Sequence, residues 1–110
     1  MSGKFIEWVG NSLRELSKFP AEAKRQAGFQ LRFVQEGMHP ADWKSVSSIG
    51  AGVMEIRLHE PHEHRVIYVA KFPEAIYVLH AFEKKTQRTS QKDLETSRKA
   101  YAEVQKQRRK

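Results

Sequence analysis

The sequence predicts an α+β fold in the order β-α-α-β-β-β-α, with a helical hairpin packed on one face of a mainly antiparallel sheet. Three observations carry this prediction. Ala21 to Gln35 spaces its apolar residues at helical intervals. Val53 to Phe82 holds three apolar runs joined by connections short enough to be hairpin turns. A charged segment, Ser90 to Gln107, follows behind a capping signal.

Each element has a local cause. Lys4 to Val9 is rich in aromatic and β-branched residues and reads as a first strand. Gly10-Asn11 breaks it. Ser12 and Glu15 have capping-box spacing, predicting a short helix to about Lys18 with Leu13 and Leu16 inward. Pro20 suits the first turn of a second helix. Ala23, Ala27, Leu31 and Val34 form its inner stripe, widened by Phe33, and Gly37 stops it. Met38 to Gly52 reads as a loop. Val53 to His59 alternates, with Met54, Ile56 and Leu58 facing the core and Glu55, Arg57 and His59 facing away. Glu60 to His64 is a turn. Arg65 to Phe72 is the next strand, and Ala75 onward is the last. The final helix, Ser90 to Gln107, carries a thin stripe of Leu94, Tyr101 and Val104. The sheet face away from the hairpin is expected to stay partly open.

Composition sets the bounds. With 110 residues, 39% of them hydrophobic and 30% charged, one globular domain over 1–110 is expected. A chain of this length buries roughly 60–65% of its extended surface, enough for one core. The net charge of +7 favours a polyanionic partner. The absence of cysteine excludes disulfides and thiol catalysis. No apolar run approaches the ~20 residues of a membrane span, and the N-terminus has no long apolar leader segment. The expected location is the cytoplasm, with no membrane partner.

The strongest chemical signal is cationic. Arg57 lies off the core face of one strand, Arg65 begins its neighbour, and Lys84 and Lys85 leave the third. Adjacent strands would bring these four charges over one sheet face. Arg offers a planar fork for phosphate and Lys a point charge. Such a group can bind RNA and stabilise a pentacoordinate phosphorane. The plainer alternative is a solubilising face, with ion pairs to Glu55 and Glu83.

Metal-free RNA cleavage also needs a base for the 2′-hydroxyl proton and an acid for the leaving 5′-oxygen. Glu55, His80, Lys84 and Lys85 are the candidates, His80 having the side-chain type suited to either role. Its apolar strand, however, suits a structural histidine better. His59, His62 and His64 lack the cysteine or carboxylate frame of a metal site, so neither a metal nor another cofactor is expected. Tyr68 and Phe82 offer surfaces for base stacking. Both also suit the core, and alternation groups Tyr68 with Val66 and Ala70. Trp8 and Trp43 read as packing residues. The tail from Gln107 to Lys110 reads as a solvated basic end.

Together, GAGVMEIRL, then HRVIYVAKFPEAIYVLHAFEKKTQRT, then a charged helix resemble the HigB branch of the RelE/ParE type II toxin superfamily, in particular its phage-derived-protein-like members. The resemblance extends to SLRELSKFP and QEGMHPADWK and covers nearly the whole chain. Its most specific parts are Glu55-Ile56-Arg57, Arg65 with Tyr68, and Phe82 to Thr86 followed by Thr89.

The resemblance implies a microbial-RNase-like fold. It also implies a ribosome-dependent mRNA endoribonuclease, an mRNA interferase that inhibits translation and growth. A cognate antitoxin, a helix-turn-helix HigA-like protein, would neutralise it and alone contact operator DNA. By position, Arg57 and Arg65 match the strand-borne basic residues of the family's cleft, and Lys84 and Lys85 those after the last strand. Thr86, Arg88 and Thr89 extend the RNA-binding run. The family varies in which residue moves the proton. Two alternatives share the fold or the charge: a ParE-like inhibitor of DNA gyrase that cuts nothing, and a basic RNA-binding module without activity.

Overall fold

The computed structural model describes residues 3–109. Its elements are β1 (Phe5–Trp8), α1 (Ser12–Ser17), α2 (Ala21–Gln35), β2 (Trp43–Ser45), β3 (Val53–Leu58), β4 (His64–Val69), β5 (Ala75–Glu83) and α3 (Gln91–Arg108). The five strands form one sheet in the order β1-β5-β4-β3-β2. Among the described residues β1 and β5 pair in parallel, and the other three pairings are antiparallel. The α+β reading and the helical hairpin agree with this architecture.

β2 departs from the expected loop. Trp43, Lys44 and Ser45 pair with Ile56, Glu55 and Met54. Three exposed residues on a sheet edge carry no alternating apolar signal, because the edge strand buries neither face.

The hairpin covers one face of the sheet. Leu16, Phe19, Ala23, Ala27, Leu31 and Val34 pack on Ile56, Leu58, Val66, Tyr68, Ile76 and Val78. Ala23 and Ala27 are fully buried, so small side chains set the close approach of α2. The hydroxyl of Ser12 does not cap α1. The Asn11 carbonyl already accepts the Glu15 N–H at 2.9 Å, so the helix begins one residue earlier. Ser12 lies inside it, buried, its Oγ without a hydrogen bond among the described residues.

The opposite face is more covered than expected. Ala100, Tyr101 and Val104 of α3 pack on Val53, Ile67, Val69, Tyr77 and Leu79. The sheet thus carries an apolar layer on each side, where composition suggested one core. Each buried Val, Leu or Ile side chain contributes roughly 1.5–3 kcal/mol. With both faces covered, all six residues of β4 are buried, as in sheets sandwiched between helices.

Two details fix α3. Gly50 leaves the space that the Tyr101 ring occupies, and Tyr101 Oη donates to the Ala51 carbonyl at 2.8 Å. At the far end Arg108 stacks 3.8 Å from the Phe72 ring centroid and pairs with Glu74 at 2.6 Å. The basic tail is therefore not a free end at Arg108; Lys110 lies outside the described residues.

Candidate functional site

A β-bulge aligns the site. Ile67 pairs with His80, yet Tyr68 pairs with Val78, leaving Leu79 as the extra residue of β5. One inserted residue inverts the facing of everything beyond it. Tyr77 faces α3 before the bulge; His80 and Phe82 face the same way after it, where regular alternation would have placed Ala81 and Glu83.

Two cross-strand rows result on the α3 side. Arg57, Arg65 and Phe82 are in register across β3, β4 and β5. Glu55, Ile67 and His80 form the next row. Strands lie about 4.8 Å apart, so Glu55 and His80 sit about 10 Å from each other across β4.

Electrostatics hold the arginine row together. Directly opposed like charges are destabilising on a sheet. The Glu55 carboxylate relieves this, lying 3.2 Å from Arg57 Nε and 3.4 Å from Arg65 Nε. Arg65 Nε is fully buried without a hydrogen bond among the described residues, so its pairing with Glu55 is ionic rather than directional. Arg65 Nη1 also pairs with Glu63 at 2.9 Å and donates to the His64 carbonyl at 3.0 Å. Glu63 in turn meets His59 Nδ1 at 2.8 Å, and His59 Nε2 meets Asp42 at 2.6 Å. The hydrogen bond to Asp42, then that to Glu63, raises the His59 pKa. The hydrogen bond from His59 lowers that of Glu63, with Arg65 adding to it.

Of the four expected cations, the two arginines share a carboxylate and the two lysines do not join them there. Arg57 and Arg65 meet at Glu55, and Arg65 is buried while the Arg57 side chain is 33% exposed. Lys84 Nζ donates to the Gln87 carbonyl at 2.7 Å. Lys85 is exposed at the mouth of a groove of about 840 Å³ between α1 and α3. His80, Phe82, Glu83 and Asp93 line the same groove. Of the expected ion pairs, those to Glu55 form, and Glu83 makes none among the described residues.

His80 is not a histidine buried among apolar groups alone. Its Nε2 lies 2.8 Å from Asp93 Oδ1, and its ring stacks on Phe82 at a centroid distance of 5.1 Å. Asp93 belongs to the first turn of α3. Its N–H donates to the N-cap Ser90 Oγ at 3.1 Å, and Ser90 Oγ donates to Asp93 Oδ2 at 2.8 Å. The sequence showed Asp93 only as part of a capping pattern; its contact with β5 has no local sequence signal.

Other expected residues separate from the site. Tyr68 is buried on the hairpin face, and burial pushes its phenol up to about 12. It cannot stack on a base, and the core grouping with Val66 and Ala70 prevails. Phe82 is mostly buried but lines both the groove and a crevice beside it, with Lys84, Thr86, Arg88 and Asp93. Thr86 Oγ1 donates to the Arg88 carbonyl and Thr89 is half-buried, so the run 84–89 is a locally bonded rim. His59 and His64 diverge: His64 is buried against Phe19, their ring centroids 4.4 Å apart. Trp43 stacks on His39 at the surface rather than in the core.

No helix is long and apolar enough to cross a membrane among the described residues. No curated protein matches the sequence. Among solved structures, a free-state double mutant of the E. coli toxin RelE is similar at a TM-score of 0.66. The match has 14% identity and covers 93% of this chain and 98% of RelE. Identity that low carries the fold alone, and the fold is that of RelE. The model of the phage-derived protein Gp49-like family (DUF891) matches residues 14–102, most of the chain and all of both rows. The chain belongs to the Gp49-like family.

Proposed function

We propose that this protein is the toxin of a type II toxin–antitoxin system, a HigB-type endoribonuclease that cuts mRNA on the ribosome without metal. Membership of the Gp49-like family and the RelE fold support the class. The observation that carries the chemistry is the shared groove of His80 and Lys85 beside the Arg57–Arg65 row. Of the four proton-transfer candidates, Glu55 is occupied by two guanidiniums and Lys84 by a carbonyl. His80 and Lys85 are left facing one cavity.

In this reading the 2′-oxygen bonds to phosphorus as its proton passes to His80. The bond from phosphorus to the 5′-oxygen breaks, and that oxygen takes a proton from the Lys85 ammonium. Arg57, the more exposed arginine of the row, neutralises phosphate charge; Arg65 holds the row from beneath. Phe82 offers its ring edge to a base, while Thr86, Arg88 and Thr89 guide the strand at the rim. The net charge of +7 suits both mRNA and an acidic segment of a cognate, helix-turn-helix HigA-like antitoxin, through which alone the complex would contact operator DNA. The site of action is the cytoplasm.

Purified protein added to translating ribosomes tests this reading. His80→Ala and Lys85→Ala should each slow mRNA cleavage by at least about 10²-fold, the scale of general acid–base catalysis, with unchanged circular dichroism. Wild-type cleavage rates in both folded variants would refute the assignment. Arg65→Ala is a poor probe, because it removes a buried side chain from the middle of the sheet and so unsettles the fold.

A further inference from the structure

We infer that Asp93 is the positioning residue of this site: it fixes the imidazole of His80 with the proton on Nε2 and leaves the Nδ1 lone pair open to the groove. The inference rests on the endoribonuclease reading for its catalytic meaning, but its geometry stands by itself.

An ionised carboxylate is only an acceptor. With Asp93 Oδ1 2.8 Å from Nε2, a neutral His80 must carry its proton on Nε2, and Nδ1 becomes the acceptor. Nδ1 has no hydrogen-bond partner among the described residues, and it is not one of the fully buried unsatisfied atoms, which are Ser12 Oγ and Arg65 Nε. It therefore meets solvent where His80 lines the groove. The carboxylate itself cannot swing freely. Ser90 Oγ holds the second oxygen at 2.8 Å, and the backbone of Asp93 is fixed by the Ser90 cap and by Ser97 Oγ, which donates to its carbonyl at 2.8 Å. Phe82 stacked on the imidazole limits ring rotation.

Two consequences follow. When Nδ1 takes the 2′-hydroxyl proton, the imidazolium that forms is stabilised by the adjacent carboxylate. The carboxylate also ties the start of α3 to β5, so the seating of α3 governs the orientation of the base. Asp93 touches no reacting atom; it acts through His80.

The test joins two readouts on the full chain. Nitrogen-15 NMR of the imidazoles at a pH where His80 is neutral should show it protonated on Nε2 in the wild type. In Asp93→Asn and Asp93→Ala it should become a tautomer mixture. On translated mRNA both variants should lose about 10²-fold or more in kcat with little change in KM, and the acidic limb of the pH–rate profile, which the general base sets, should move. An unchanged tautomer in both folded variants overturns the inference, as does an unchanged kcat with an active wild type. If Asp93→Ala fails to fold, Asp93→Asn decides alone. If the wild type does not cut mRNA, the endoribonuclease reading fails, while the NMR arm still decides whether Asp93 sets the tautomer.

Discussion

Arg57 and Arg65 stand directly opposite each other on β3 and β4 and share one carboxylate, that of Glu55. Two guanidiniums at a non-separable register position are tolerated because a buried anion lies between them. The arrangement keeps positive charge concentrated at a rigid sheet, with one arginine reaching solvent and the other supporting it.

Removing the shared anion should therefore cost more than removing the exposed cation. Glu55→Gln leaves the buried Arg65 with Glu63 and the His64 carbonyl but without the anion at its Nε, and we expect a loss of about 3 kcal/mol, the lower end for stranding a buried charge. Arg57→Ala should cost at most about 1 kcal/mol, as for partly exposed pairs. Urea unfolding of both variants checks the ordering; equal losses would contradict the shared-anion account.

The clamp on α3 predicts an acid limb. Hydrogen bonds from Arg108 and then Tyr77 hold the Glu74 carboxyl at about 2, against its ordinary 4.5. A depressed carboxyl contributes stability that is present above its unfolded value and lost as pH falls through the folded one. The Tm gap between wild type and Glu74→Gln should be constant above pH 4.5 and close as pH falls towards 2. Thermal melts across that window measure it.

His59 predicts the opposite slope. Its pKa is raised from 6.5 by Asp42 and then Glu63, so its contribution is complete below 6.5 and lost as pH rises through the folded value. An NMR titration should place its midpoint above 6.5, and Asp42→Asn should lower it. A midpoint unmoved by that substitution would remove Asp42 as the main cause.

Glycine replacements should differ in sign. At Gly50 a Cβ meets the Tyr101 ring, so Gly50→Ala should destabilise by about 1–3 kcal/mol through overpacking. At Gly28, inside α2, a Cβ meets nothing, and Gly28→Ala should stabilise by about 0.5–1 kcal/mol through helix propensity. Denaturant midpoints of the two variants give the comparison.

The elements with periodic apolar faces were legible in the sequence. α2 begins and ends where its stripe, Pro20 and Gly37 place it, and Ser90 caps α3 as its spacing predicts. β2 was not legible, because an exposed edge strand leaves no hydrophobic period. Arg57 and Arg65 could be read as neighbours from hairpin register, but the fate of Lys84 depended on a loop conformation without a pattern. The site's inner half was hidden for one reason. The bulge at Leu79 shifts the facing of His80 and Phe82, and alternation alone assigns those residues to the wrong side. The contact of Asp93 with His80 spans two elements, so a capping motif was all the local chain revealed.

The most direct measurement is end-mapping of a translated mRNA by primer extension after brief exposure to the purified protein. We predict new ends within the translated region carrying 2′,3′-cyclic or 3′-phosphate, formed without added metal and absent when ribosomes are omitted. Intact mRNA in the presence of folded protein would contradict the account, and inhibition of gyrase supercoiling by the same sample would replace it with the ParE-like alternative.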